Sequence, residues 1–234
     1  MNPILKRTLT GLGVGAAVIC AALLAPQAAI DLVVLAVAFF AVCEYVALLS
    51  KKGVRRGPLA VCAVVAGSVV VLAGLGSLAR IPPLYGDATC GGLRLGNVML
   101  LYVIAVVKFS DVGGFAFGLS SARMMKGGNH KMCPSVSPNK SWEGLAGSVF
   151  ASCLVSCLFM GATGFGWGKS LACGAAAALV GTAGDLVESK FKRWAGVKDS
   201  STMRITNGMG GVLDMVDSLL FAPAVLMMLM GLDF

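Results

Sequence analysis

Four aspartates stand where ionised side chains are costly. Asp111, Asp185, Asp214 and Asp217 each fall inside, or at the edge of, a long apolar run. A carboxylate placed in lipid turns to a cavity or a partner, so such a residue marks a functional position by default. Asp214 and Asp217 are three apart and share a face if they lie on one helix. Two carboxylates on one face repel unless a cation lies between them. Asp185 is placed at a helix end on the same side, so all three are expected at one depth. Such hard oxygen donors suit Mg²⁺, with a second cation possible. From the residues alone, the alternative is a structural ion-pair network with Lys192 or Arg193.

A basic, hydroxyl-rich stretch follows Asp185: Ser189, Lys190, Lys192, Arg193, Lys198, Asp199, Ser200, Ser201 and Thr202. Helical spacing puts Glu188, Ser189 and Lys192 on nearly the same side as Asp185. Gly208-Met209-Gly210-Gly211 then opens the last apolar run. A Gly-rich turn before a helix offers free backbone N–H groups to phosphate. Upstream, Lys140 lies among Ser137, Asn139 and Ser141, just before a helix expected from Glu143-Gly144. Lysine binds phosphate as a point charge. Carboxylates, cations and a glycine turn together describe a site for a metal-bound polyphosphate at one face of a membrane.

The membrane follows from composition. The chain has 234 residues, 57% hydrophobic and 13% charged, with a mean hydropathy of +0.86. A soluble domain is about half apolar and about a quarter charged. This chain has too little charge to cover a soluble surface, which argues against a soluble enzyme or a disordered segment. The fold class expected is all-α, a polytopic transmembrane helix bundle of about seven spans. They are expected at about 8–24, 30–49, 59–78, 97–119, 144–162, 171–187 and 210–232. Residues 1–95 form an N-terminal region of about three helices with an outer loop. Residues 96–234 form the region that carries the chemistry. The small-residue run 174–184 suits close helix packing in lipid.

The net charge is +8. Its distribution fixes the threading. With the N-terminus in the cytoplasm, the inner segments hold Lys6, Arg7, the cluster Lys51 to Arg56, the loop cations Arg123 to Lys140, and Lys190 to Arg204. The outer segments hold only Arg80, Arg94 and Lys169. Cytoplasmic loops collect Lys and Arg in this way, so the excess needs no nucleic-acid partner. Lys108 falls inside a span.

The remaining polar residues carry less. The eight cysteines lie mostly in apolar runs without a CxxC pair, as buried free thiols do. His130, the only histidine, sits in a Gly-Gly-Asn-His loop and is expected to be solvated, since nothing near it in sequence orients it. Trp142 is expected as an interface anchor. Glu44, near the inner end of the second span, either pairs with a loop lysine or points into a cavity.

Several stretches resemble one family. Ser110-Asp111-Val112-Gly113-Gly114, Ser137-Pro138-Asn139-Lys140-Ser141-Trp142-Glu143-Gly144, Gly184-Asp185-Leu186-Val187-Glu188-Ser189 and the run Ser189 to Ser200 followed by Gly208 to Ser218 resemble the signature motifs of the phosphatidate cytidylyltransferases (CDP-diacylglycerol synthases), in the family's order. Cys43-Glu44-Tyr45 is similar to a weaker N-terminal element. The resemblance implies the reaction of CTP with phosphatidate to give CDP-diacylglycerol and pyrophosphate. It implies divalent metal, a homodimer, and a site in the plasma membrane open to the cytoplasm. It assigns metal-binding carboxylates to Asp185, Asp214 and Asp217. It assigns nucleotide or phosphate contacts to Lys140, Ser189, Lys192, Arg193, Lys198 and Asp199, with Gly208, Gly210 and Gly211 in the turn. Asp111 is carried over as a site carboxylate. Two positions depart from the pattern: Met209 stands where the family has His in its G-H-G-G turn, and Met215 where it has Arg in its L-D-R-x-D motif. Both remove a polar donor. The alternative readings are a silent paralogue that binds nucleotide or lipid, and a related lipid-phosphate or polyprenol transferase.

Overall fold

Seven apolar segments follow one another in the expected order, and helices account for nearly all of them. The computed structural model describes residues 15–51, 58–126, 128–197 and 211–232. The helices are α1 (Gly15–Leu24 as described), α2 (Gln27–Lys51), α3 (Pro58–Leu84), α4 (Leu95–Met124), α5 (Trp142–Leu158), a short α6 (Met160–Thr163), α7 (Trp167–Trp194), α8 (Val212–Val216) and α9 (Ala222–Met230). A 3₁₀ turn, Asp217–Leu220, separates α8 from α9. Two small antiparallel hairpins close the loops: β1 (Thr89–Cys90) with β2 (Leu93–Arg94), and β3 (Lys131–Cys133) with β4 (Ser137–Ser141).

Among the described residues, α2, α3, α4, α7 and the 212–230 segment are long and apolar enough to cross a membrane. At 17 residues, α5 rises about 25 Å, short of the roughly 30 Å hydrocarbon core; α6 continues it by a turn. The outward faces are apolar: Leu32, Phe39, Val65, Leu154 and Leu179 are all exposed. In water such a surface would be a liability; in a bilayer it faces its proper solvent. The structure is therefore the all-α membrane bundle expected.

Helix α4 is the central post. Tyr102, Val103, Val106 and Val107 on it are fully buried. The Tyr102 hydroxyl lies 2.9 Å from Ser156 Oγ on α5. Asn97 Nδ2 donates to the carbonyls of Leu23 and Ala25, closing the end of α1.

Close packing of α4 on α5 is made by glycine. A Cβ on Gly147 would collide with the Phe117 side chain and the Gly113 carbonyl, and one on Gly113 with Ala151 and Gly147. Small residues let backbones approach in lipid, and here the approach sets the Ser110–Gly114 motif against the start of α5. Gly147→Val is expected to wedge the pair apart and lower stability by about 1–3 kcal/mol, the usual cost of overpacking. Thermal melting in detergent checks this; an unchanged midpoint would contradict it.

The last apolar segment differs from the single helix expected over 210–232. Proline at 223 has no N–H and its ring clashes with the carbonyl four residues back, so it starts a helix rather than continuing one. It lies in the first turn of α9. The chain ahead of it tightens into the 3₁₀ turn. Gly184 on α7 makes room for that turn: a Cβ there would press on Phe221 and the Asp217 carbonyl.

Candidate active site

Three carboxylates gather where α4, α7 and the 3₁₀ turn meet. Asp111 comes from the middle of α4 and Asp217 from the first position of the 3₁₀ turn. Asp185 stands nine residues before the end of α7, about 14 Å along its axis. Asp185 lies beside both of the others.

Two ammonium groups balance them. Lys140, on β4, donates to Asp185 Oδ2 at 2.8 Å and to the Thr182 carbonyl at 3.1 Å. Lys108, one turn before Asp111, donates to Asp111 Oδ2 at 3.2 Å, to Ser218 Oγ at 2.9 Å and to the Met215 carbonyl at 3.0 Å. The Ser218 hydroxyl in turn donates to Asp111 Oδ2 at 3.0 Å. The Ser218 N–H donates to Asp217 Oδ1 at 2.6 Å, which fixes that carboxylate on its own turn.

The second oxygen of Asp185, Oδ1, is buried and has no hydrogen-bond partner. Burying a charged oxygen without a partner is expensive. Asp185 itself lines a cleft of about 250 Å³, together with Asp111, Ser137, Asn139, Lys140 and Ser141. The loop that brings Lys140 there is firmly held. Ser141 Oγ caps α5 by accepting from the Gly144 N–H at 3.1 Å. Glu143 receives the His130 backbone N–H at 3.1 Å and lies 2.6 Å from His130 Nδ1. His130 is therefore exposed, as expected, but Glu143 orients it, a contact across the hairpin that its neighbours in sequence did not signal.

A second cluster lies nearby. Lys192 Nζ sits 2.6 Å from Glu188 Oε2 and 2.7 Å from Asp214 Oδ1. Asp214 Oδ2 accepts the Gly211 N–H at 3.0 Å, at the opening of α8. Asp214 is thus turned to Lys192, while Asp185 and Asp217 face one another. The sequence placed Asp214 and Asp217 on one helix face; the change from α to 3₁₀ winding between them separates their partners. Ser189 is half-buried one turn beyond Asp185. Arg193 is exposed and its Nε donates to the Val136 carbonyl at 3.3 Å, bracing the β3–β4 hairpin. Lys198, Asp199, Gly208 and Gly210 lie outside the described residues, as does Met209.

Three participants were given no site role from sequence. Lys108 read only as a charge within a span. Glu188 was noted for its side of α7, and its i,i+4 spacing to Lys192 was the available signal. Glu44 is 4% exposed, and its Oε2 accepts the Leu213 N–H at 2.9 Å, tying α2 to the start of α8; the loop cations Lys52, Arg55 and Arg56 that it was expected to reach lie outside the described residues. Its neighbour Tyr45 stacks on Phe191 of α7 with ring centroids 5.0 Å apart. The second helix thereby braces both elements that carry the acidic clusters.

Among the described residues no three acids, histidines or cysteines converge as a closed metal centre. An open one is another matter. Mg²⁺ is commonly bound through one or two carboxylates plus substrate phosphates. Asp185 and Asp217 side by side, with Asp185 Oδ1 bare, fit that chemistry.

Residues 69–232 match the cytidylyltransferase family. Over 133 residues the chain is 40% identical to a phosphatidate cytidylyltransferase of Staphylococcus aureus (strain COL), covering 56% of this chain and 48% of that protein. It is 40% identical over 134 residues to the Staphylococcus haemolyticus protein of the same name. Over 135 residues it is 36% identical to the Haemophilus influenzae one, covering 53% and 42%. The match thus spans about half the length of these curated relatives.

Proposed function

Since the chain belongs to the cytidylyltransferase family, we propose that it transfers the cytidylyl group of CTP to phosphatidate, giving CDP-diacylglycerol and pyrophosphate. A phosphate oxygen of phosphatidate bonds to the α-phosphorus of CTP. The bond from that phosphorus to the β-phosphate oxygen breaks, and pyrophosphate leaves with the electron pair. The nucleophile is already ionised, so no general base is needed. The barrier lies in bringing anions together and in the charge on the leaving group.

The observation that carries this reading is the Asp185 carboxylate on the wall of the cleft, with one oxygen on Lys140, the other without a hydrogen-bond partner, and Asp217 beside it. Asp185 and Asp217 would hold Mg²⁺, whose role when bound is to neutralise phosphate charge and polarise the reacting phosphoryl group. Lys140 offers a cation at the cleft, positioned by its bond to the Thr182 carbonyl. Lys192, held by Glu188 and Asp214, offers a second near the expected polyphosphate. Asp214 serves by orienting Lys192 and closing the Gly211 turn. Arg193 keeps the hairpin that bears Lys140 in place. Ser189, Lys198, Asp199 and the glycines 208, 210 and 211 complete the nucleotide contacts on the strength of the resemblance.

The positive-inside distribution supports a site opening to the cytoplasm and the inner leaflet of the plasma membrane, with the diacyl chains left in the bilayer. A homodimer rests on the resemblance. Product analysis tests the substrate: purified protein with CTP and Mg²⁺ is expected to yield CDP-diacylglycerol from phosphatidate, read by mass spectrometry. A product formed only from a polyprenyl alcohol or polyprenyl phosphate would overturn it.

A further inference from the structure

Lys108 is an ammonium on an apolar helix, and it is met as a bare cation would be. Lysine has three N–H donors. Here they are taken by three oxygens of three chemical kinds: a carboxylate (Asp111 Oδ2, 3.2 Å), a hydroxyl (Ser218 Oγ, 2.9 Å) and a backbone carbonyl (Met215, 3.0 Å). Carboxylate, hydroxyl and carbonyl are the hard donors from which proteins build alkali and alkaline-earth sites. Two of the three come from the segment that carries Asp217, and the third from α4. The ammonium therefore bridges the two elements that flank Asp185. Asp217 itself is held by the Ser218 N–H, so whatever fixes Ser218 fixes Asp217. The side chain at 215 is a methionine, 39% exposed, and contributes only its carbonyl to this arrangement.

We propose that Lys108 is a tethered second cation of the site: a positioning residue whose ammonium fills an oxygen cradle between α4 and the 3₁₀ turn, locks Asp111 and the Asp217 turn in register with Asp185, and leaves the reaction needing one free divalent ion and no free monovalent one. This rests on the reading of the site as metal-dependent cytidylyl transfer. The charges on the page agree with it. Counted as ionised, Asp111, Asp185 and Asp217 bring three negative charges and Lys108 and Lys140 two positive ones, so one net negative charge remains to attract a divalent ion. Without Lys108, the cradle would hold a partly buried carboxylate whose remaining donor is the Ser218 hydroxyl, together with a hydroxyl oxygen and a carbonyl that have lost their ammonium donor, which a small cation would satisfy.

The test uses the full chain in detergent, with choline, sodium, potassium or methylammonium as the only monovalent cation and Mg²⁺ constant. The parent protein is expected to turn over within twofold in all four. Lys108→Ala is expected to lose about 10²-fold in choline, the cost of a misplaced site, and to regain at least tenfold with potassium or methylammonium. The same two cations are expected to raise the melting midpoint of Lys108→Ala by about 2–4 °C, and not that of the parent. This thermal arm needs no turnover: if the parent proves inactive, the functional reading fails while the cradle is still judged by melting. A parent that requires a monovalent cation overturns the proposal, as does a Lys108→Ala protein as active as the parent in choline. So does a folded Lys108→Ala protein whose activity and melting no cation changes. Should Lys108→Ala not insert, Lys108→Gln takes its place with the same expectations, and the parent's cation independence is decisive alone.

Discussion

Asp217→Asn is expected to reduce turnover by about three orders of magnitude or more while the protein inserts and melts near its normal midpoint. Asp217 is adjacent to Asp185, which lines the cleft. Only when both are ionised do they present the charge that attracts a divalent cation; an amide keeps the shape and removes one charge. The Ser218 N–H bond survives, because an amide oxygen accepts as a carboxylate oxygen does. Loss of a group that stabilises developing phosphate charge typically costs 10²–10³ or more. Steady-state pyrophosphate release, with circular dichroism and melting on the same preparation, separates lost chemistry from lost fold. Turnover within tenfold of the parent would remove Asp217 from the metal site.

Lys192→Met is expected to have the largest effect on stability. Its ammonium lies between Glu188, 6% exposed, and Asp214, 15% exposed. Removing it leaves two inward carboxylates facing each other. Deleting one partner of a buried ion pair costs about 3–5 kcal/mol, because the remaining charge is stranded. Activity falls as well, since Asp214 then loses its ion pair with α7. A second substitution discriminates the causes. Lys192→Met with Glu188→Gln removes one stranded charge and is expected to recover much of the melting midpoint but little of the turnover. Equal melting of Lys192→Met and the parent would show that the pair is solvated and weak.

The bundle was legible because hydropathy and charge bias act locally along the chain. The apolar runs, the basic loops and the punctuation at Pro26 and Gly91-Gly92 each speak for their own segment, and the spans fall near where they were expected. The motif residues were legible too, since Asp111, Lys140 and Asp185 sit in contiguous signatures that the fold brings to one cleft. What could not be read were partners distant in sequence. Glu44 and Leu213 are 169 residues apart, and Lys108 and Met215 are 107 apart. No periodicity announces such a pair. The division of the acids was also hidden, because it depends on the winding of five residues. An uninterrupted helix would have put Asp214 and Asp217 on one face, and the proline at 223 together with close approach to Gly184 gives a 3₁₀ turn instead.

The N-terminal helices gain a role that their composition does not suggest. The family match begins at residue 69, beyond α2. Yet α2 supplies Glu44 to the start of α8 and Tyr45 to the face of Phe191. The acidic clusters are thus held from one side by α4 and from the other by α2. Buried contacts of this kind matter singly, since a polar group that loses its partner in the interior bears its full desolvation cost.

The most direct measurement is pyrophosphate release from CTP by the purified protein in mixed micelles, with and without phosphatidate, and with Mg²⁺ or with EDTA. Release that requires both the lipid and the metal is the predicted result, and it would show that methionine at 209 and 215 is compatible with turnover. A folded protein that binds CTP but releases no pyrophosphate under any of the four conditions would contradict the account and identify a nucleotide-binding paralogue without transferase activity.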